Sequence, residues 1–335
     1  MERQQQIKTW LAAHFPGRAF SLAPASADAS FRRYFRVTLD DGTTRIVMDA
    51  PPANEDCRPW LHVQRLFHEA GVHVPEVLAR DIERGFLLLS DLGATTYLQV
   101  LDAANAAPLY ADAIAALVRI QRVSRPGALP DYDETLLRRE LELFPEWFLA
   151  RHHRVALTES ERQGLATVFD CILAVNLAEP KVFVHRDYHS RNLMLLPGGT
   201  LGVIDFQDAV TGPLTYDLVS LLRDCYVQWP PARVDAWAAS FAARAVAAGS
   251  MSPVPAATFR RWFDWMGLQR HIKVLGIFAR LWLRDGKPGY LHDLPLVMRY
   301  TLDVAAAYPE TVRFADWLRE RVLPVASGQD WYRAR

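Results

Sequence analysis

Residues 184–208 read Val184-His-Arg-Asp-Tyr-His-Ser-Arg-Asn-Leu-Met-Leu-Leu-Pro-Gly-Gly-Thr-Leu-Gly-Val-Ile-Asp-Phe-Gln-Asp208. The apolar run 182–184 is a strand that gives way to a polar loop. A second short strand follows at 193–196. Pro197, Gly198 and Gly199 reverse the chain, and 201–204 returns as the partner of a hairpin. Asp187, Asn192 and Asp205 fall at strand ends, where oxygen-bearing side chains can converge. Such ligands suit Mg²⁺, which takes one or two carboxylates and completes its shell with water and phosphate.

The spacing His185-x-Asp187-x4-Asn192, with Asp205 inside Ile204-Asp205-Phe206, resembles the catalytic loop and metal motif of the protein kinases. It is most similar to their small-molecule branch, the aminoglycoside-phosphotransferase-like kinases. The resemblance implies an α+β, two-lobed protein-kinase-like fold. A small β-rich N-lobe (1–93) would cover the nucleotide, and a larger, mainly helical C-lobe (94–335) would carry catalytic loop, metal site and acceptor site. It further implies ATP and Mg²⁺ as cofactors, Asp187 as proton acceptor for the attacking hydroxyl, and Asn192 and Asp205 as metal ligands.

Composition agrees with a globular chain and excludes several partners. Half of the 335 residues are hydrophobic and Lys plus Arg equals Asp plus Glu. Nothing in that balance favours nucleic acid or an anionic membrane. Cys57, Cys171 and Cys225 are far apart in sequence, which points to a reducing compartment and no zinc or disulfide framework. No apolar run reaches membrane-spanning length and the first residues lack a signal core, so the expected location is cytoplasmic. No obligate protein partner is implied.

Residues 3–15 have helical apolar spacing. A hairpin follows, its turn at Asp40-Asp-Gly-Thr43, and in the kinases it resembles, this hairpin lies over the phosphates. Two departures stand out. The loop 28–33 has no glycine, and the second strand carries Met48 where the phosphate-binding lysine is expected. The only lysines are Lys8, Lys181, Lys273 and Lys287. Arg32, Arg33 or Arg36 must supply the missing cation, or metal and backbone N–H groups near Ser30 and Phe31 suffice. A helix is expected at 58–70, and with no lysine to pair, neither Glu55 nor Glu69 is given a partner. Strands are expected at 74–78 and 85–89, then a hinge, Ser90-Asp-Leu92-Gly, whose backbone would bond adenine.

The remainder reads as helical, with a long helix at 134–152 interrupted near Pro145. Gly212, Pro213 and Asp217 map onto an element that braces the catalytic loop in the kinases it resembles. In 258–284, Gln269, Lys273, Arg280 and Arg284 share one face, read as a solvated stripe beside a core stripe. The acceptor region is expected to hold Asp187, Arg223, Tyr226, Arg284 and Asp285. Its cations suit an anionic acceptor and its aromatic faces a sugar ring.

Several stretches together resemble a narrower family, the bacterial cell-wall-recycling kinases of N-acetylmuramate and N-acetylglucosamine. These are Asp28-Ala-Ser-Phe-Arg-Arg-Tyr-Phe-Arg36, Met48-Asp-Ala-Pro-Pro52, Ser90-Asp-Leu-Gly93, 185–192 and Gln269-Arg-His-Ile-Lys273. That resemblance implies transfer of phosphate from ATP to the anomeric C1 hydroxyl of a small amino sugar. The alternatives are a kinase of an amino alcohol or aminoglycoside, or a nucleotide-binding pseudokinase with a regulatory role.

Overall fold

The computed structural model describes residues 2–26 and 31–333, so Ser30 lies outside the described residues. Contacts gather the chain into two compact units: Met1–Val100 with Asn192–Asp208, and Leu101–Arg191 with Ala209–Arg335.

The first unit is built on a five-stranded antiparallel sheet, β1 (Phe20–Ser26), β2 (Arg33–Leu39), β3 (Thr44–Asp49), β4 (Val77–Asp81) and β5 (Phe86–Ser90), in the order β1-β2-β3-β5-β4. Strand β5 is interior and reads Phe-Leu-Leu-Leu, because both faces of an inner strand can be covered. Phe86 and Leu88 join Val37, Leu39 and Val47 in a core completed by Ile7, Trp10 and Leu11 of helix α1 (Glu2–His14). Leu87, Leu89 and Met48 are buried too, and alternation turns them to the opposite face. Strand β4 starts at Val77 and not at 74, since Pro75 has no N–H for a ladder.

Helix α2 (Cys57–Glu69) is capped by Asp56, which accepts from the Arg58 N–H. Its Trp60 and Phe67 pack on Phe206 at 5.1 and 5.7 Å between ring centroids. That contact, with Val203 N–H on the His73 carbonyl and Leu195 N–H on that of Thr95, draws 192–208 into the first unit. The sequence reading, which divides the chain once near residue 93, has no signal for this return. The hairpin itself matches the expected one: Leu193–Leu195 pairs with Leu201–Val203, and Gly198 and Gly199 take φ of 81° and 83°, values closed to most L-residues.

The second unit is helical around one long helix, Ala256–Asp285. Every residue from 263 to 276 is buried, Gln269, Arg270, His271 and Lys273 included. The solvated-stripe reading is therefore wrong for Gln269 and Lys273: a helix surrounded by others must partner its polar side chains internally. The expected break near Pro145 is real. The α-helix Glu134–Leu141 ends and Phe144–His152 continues as a π-helix. Gly276 explains the closeness there, because a Cβ on it would stand 2.4 Å from the Leu143 carbonyl carbon. No helix among the described residues is long and apolar enough to cross a membrane.

Candidate active site

In the helical unit, strand Lys181–Val184 delivers the chain into the loop that bears Asp187. The loop is held by its backbone. Buried Asp217 accepts the His185 N–H at 2.6 Å and the Arg186 N–H at 3.0 Å, one on each carboxylate oxygen. Asp217 thus braces the loop as its position in the sequence suggests. A second buried carboxylate, Asp224, accepts the N–H (3.0 Å) and hydroxyl (2.5 Å) of Ser190; the sequence offers no cue to it. Tyr188 anchors the middle of the loop by donating to the Ala113 carbonyl at 2.8 Å.

Arg186, next to Asp187, has φ of 77°, an unfavourable region for a side chain larger than glycine. Its guanidinium donates to Glu140 at 2.6 Å. Lys273 ion-pairs with the same carboxylate at 2.8 Å and donates to the Tyr216 hydroxyl at 2.8 Å, while Tyr132 also donates to Glu140. Burial pushes the Glu140 carboxyl up, yet Lys273 and Arg186 outweigh it and leave the group below its usual range. Asp187 shows the same balance. Burial raises it, and nearby His189, Lys273, Arg270 and His185 bring it below the ordinary carboxylate range, so it is ionised at neutral pH.

The other candidate ligands lie in the first unit. Asn192 Nδ2 is 3.3 Å from one Asp205 oxygen, and Gln207 Nε2 donates to the other at 2.9 Å. Asp205 itself has φ of 64°. The buried Gln207 Oε1 has no hydrogen-bond partner, an acceptor in want of a donor or cation beside the Asp205 carboxylate. Among the described residues there is no group of three or more His, Cys, Asp or Glu side chains that could hold a metal. A carboxylate with amide oxygens nearby fits Mg²⁺, which leaves much of its shell to water and phosphate.

The arginines of the first hairpin separate clearly. Arg33 pairs with the buried Asp49, which Arg3 also meets at 2.7 Å. Arg36 is bidentate on Asp91 at 2.6 and 3.1 Å and reaches the Gly93 carbonyl. Arg32 faces Glu55 at 3.4 Å and Asp208 at 3.9 Å, with Asp205 close enough to influence it. A cation–glutamate pair therefore exists where the sequence reading assigns none. Phe31 is exposed and Met48 fully buried between Tyr34 and Leu87. At the hinge the Ser90 N–H already donates to the Glu76 carbonyl, whereas among the described residues no backbone–backbone bond engages Leu92.

The structure does not bring Arg223 and Arg284 together. Arg223 is paired to Asp264 and lies over Phe263 beside Gly267. Arg284 is paired to its neighbour Asp285, seventeen residues further along the same long helix, which is about 25 Å at 1.5 Å per residue. They cannot grip one small anion. Tyr226 is half-buried under the guanidinium of Arg191 at 3.6 Å. A depression of about 720 Å³ lined by Glu179, Met251 and Trp262 contains none of the candidate site residues.

The model of the phosphotransferase enzyme family matches residues 21–254. The chain belongs to that family. It is accordingly a phosphotransferase acting on a hydroxyl acceptor, with a protein-kinase-like α+β fold. An N-acetylmuramate/N-acetylglucosamine kinase of Pseudomonas aeruginosa is 48% identical over 326 residues, 94% of this chain and 96% of that one. The enzyme of the same name from Pseudomonas putida is 46% identical over 328 residues, 95% and 96% of the two chains. Among solved structures, ADP-bound aminoglycoside phosphotransferase APH(2'')-Ib superposes with a TM-score of 0.59 at 13% identity, covering 89% of this chain and 98% of that one.

Proposed function

We propose that this phosphotransferase transfers the γ-phosphoryl group of ATP to the anomeric C1 hydroxyl of N-acetylmuramate and N-acetylglucosamine. The product sugar 1-phosphates would feed recycling of cell-wall sugars in the cytoplasm. The observation that carries this reading is near-full-length similarity, at 46% and 48% identity, to two kinases named for these sugars.

The chain's own groups suit the reaction. Phosphoryl transfer asks for positioning and for neutralisation of charge more than for covalent chemistry. Asp187, ionised and fixed by a braced loop, takes the proton of the attacking hydroxyl. A hemiacetal hydroxyl is more acidic than an ordinary alcohol, so a carboxylate is an adequate base. Asn192 and Asp205 would hold Mg²⁺, which when bound offsets the charge of the phosphates. Arg32, oriented by Glu55, stands in for the absent lysine, and Leu92 offers the hinge N–H and carbonyl to adenine.

A coupled ATP assay over N-acetylmuramate, N-acetylglucosamine, choline and an aminoglycoside tests this, with ³¹P NMR to locate the phosphate. Turnover confined to the two sugars, with an acid-labile anomeric phosphate, is expected. Turnover of choline or the aminoglycoside alone, or phosphate on a primary hydroxyl, would overturn it. As a second check, Asp205→Ala should weaken Mg·nucleotide binding in calorimetry with a non-hydrolysable analogue; unchanged affinity would move the metal elsewhere.

A further inference from the structure

The two proposed acceptors differ in charge. N-acetylmuramate carries a lactyl carboxylate that N-acetylglucosamine lacks, so a site that serves both needs a cation for one and must not demand an anion from the other. Arg223 and Arg284 are each already paired with a carboxylate, Arg223 sharing Asp264 with Arg260 and Arg284 holding Asp285. Arg191 is different. It lies in the catalytic loop four residues after Asp187, is exposed, and has no carboxylate partner among the described residues.

It is nonetheless held in place. Its guanidinium carbon lies 3.6 Å from the centroid of Tyr226 and 5.8 Å from that of Tyr290. Phe278 backs both rings, at 6.5 Å and 5.0 Å. The His189 ring meets Tyr226 edge-on at 5.4 Å, and the His189 N–H donates to the Asp187 carbonyl at 3.0 Å. Stacking uses the face of a guanidinium and leaves its N–H edge open. A cation whose orientation is already fixed loses little entropy on meeting an anion.

We propose that Arg191, clamped over Tyr226, is the residue that recognises the carboxylate of the acidic acceptor. This rests on the acceptor reading above and goes beyond it by assigning specificity to one side chain. Because the neutral sugar needs no such contact, Arg191 also explains how one pocket takes both.

The test is a cycle between residue and substrate. kcat/KM is measured for wild type, Arg191→Ala and Arg191→Lys with N-acetylmuramate, its uncharged methyl ester and N-acetylglucosamine. Loss of a charge-assisted fork predicts that Arg191→Ala lowers the N-acetylmuramate to N-acetylglucosamine ratio by about 10- to 100-fold. Arg191→Lys should recover part of it, and wild type should discriminate against the ester while Arg191→Ala should not. Turnover of the neutral sugar by the variant reports that it is folded. Equal losses on all three substrates, or no loss on any, would overturn the assignment, as would an ester effect that persists without the arginine. Failure of wild type to phosphorylate either sugar would instead defeat the acceptor reading, and this assignment with it.

Discussion

Asp187 stays charged although burial alone would push its proton affinity up, because nearby His189, Lys273, Arg270 and His185 act against that. Two consequences follow at the residue scale. The acid limb of the kcat/KM profile should lie below the usual carboxylate range, since activity is lost only as pH falls through this lowered pKa. Asp187→Asn should cut kcat by about 10²–10⁴-fold and spare the KM for ATP, because only the proposed proton acceptor is removed; near-normal turnover would exclude Asp187 as the base. The hairpin arginines should divide. Arg32→Ala removes a cation beside Asp205 and should raise the KM for ATP by about 10-fold or more, as the loss of a charge-assisted contact does. Arg33→Ala takes one of two partners from buried Asp49, so its effect should appear in thermal stability and not in KM. Equal KM effects would mean that the pair with Asp49 is dispensable and both arginines serve the nucleotide.

The element that governs the loop is the junction of Glu134–Leu141 with the long helix, where Glu140 meets Lys273 and Arg186. Glu140→Gln would leave two cations facing each other in a buried place, with the Asp187 carboxylate as their remaining counter-charge. Breaking such a pair from one side costs about 3–5 kcal/mol, which urea unfolding would register as a lower midpoint at unchanged slope. A wild-type midpoint would show that water reaches the site. This junction also marks how far the sequence could be read. The hairpin was legible because Pro-Gly-Gly states its turn locally, and the catalytic loop because its polar residues are closely spaced. Lys273 and Gln269 were misjudged as solvated because their partner, Glu140, is more than a hundred residues away, and periodicity reports only that residues share a face, not what covers it. Asp224 gives no cue either, because its partner Ser190 lies in another element, 34 residues away. The positive φ at Arg186 could not be foreseen either, since arginine does not advertise a left-handed backbone; Asp205 is of a type that tolerates one, without its sequence marking the position.

For the molecule as a whole, buried titratable groups set how stability varies with pH. Burial raises Glu179 to about 8 and Asp217 to about 7, in both cases against the pull of their donors. A carboxyl whose folded pKa is raised holds its proton more tightly folded than unfolded. Its contribution is complete below the unfolded pKa and is lost as pH climbs to the folded one. Burial lowers His153 to about 4 and His271 to about 3. Their contribution is present above the ordinary histidine value and lost as pH falls below it. The melting temperature should therefore decline from about pH 6.5 to about pH 8. Glu179→Gln should flatten that limb, because an amide can still accept from the Thr215 N–H and donate to its hydroxyl, where Glu179 accepts from both. Glu179→Ala, which orphans both Thr215 groups, should cost about 1–3 kcal/mol. An unchanged limb in Glu179→Gln would assign it to other groups. The return of Asn192–Asp208 to the first unit has a consequence in time. A ribosome adding about 5–20 residues per second finishes the five-stranded sheet well before it makes Phe206, the ring that covers Trp60 and Phe67. For the interval in which about 90 further residues (Leu101–Arg191) emerge, those two rings lack their cover. A nascent chain arrested in that window should be a better client for chaperones than one released after residue 208.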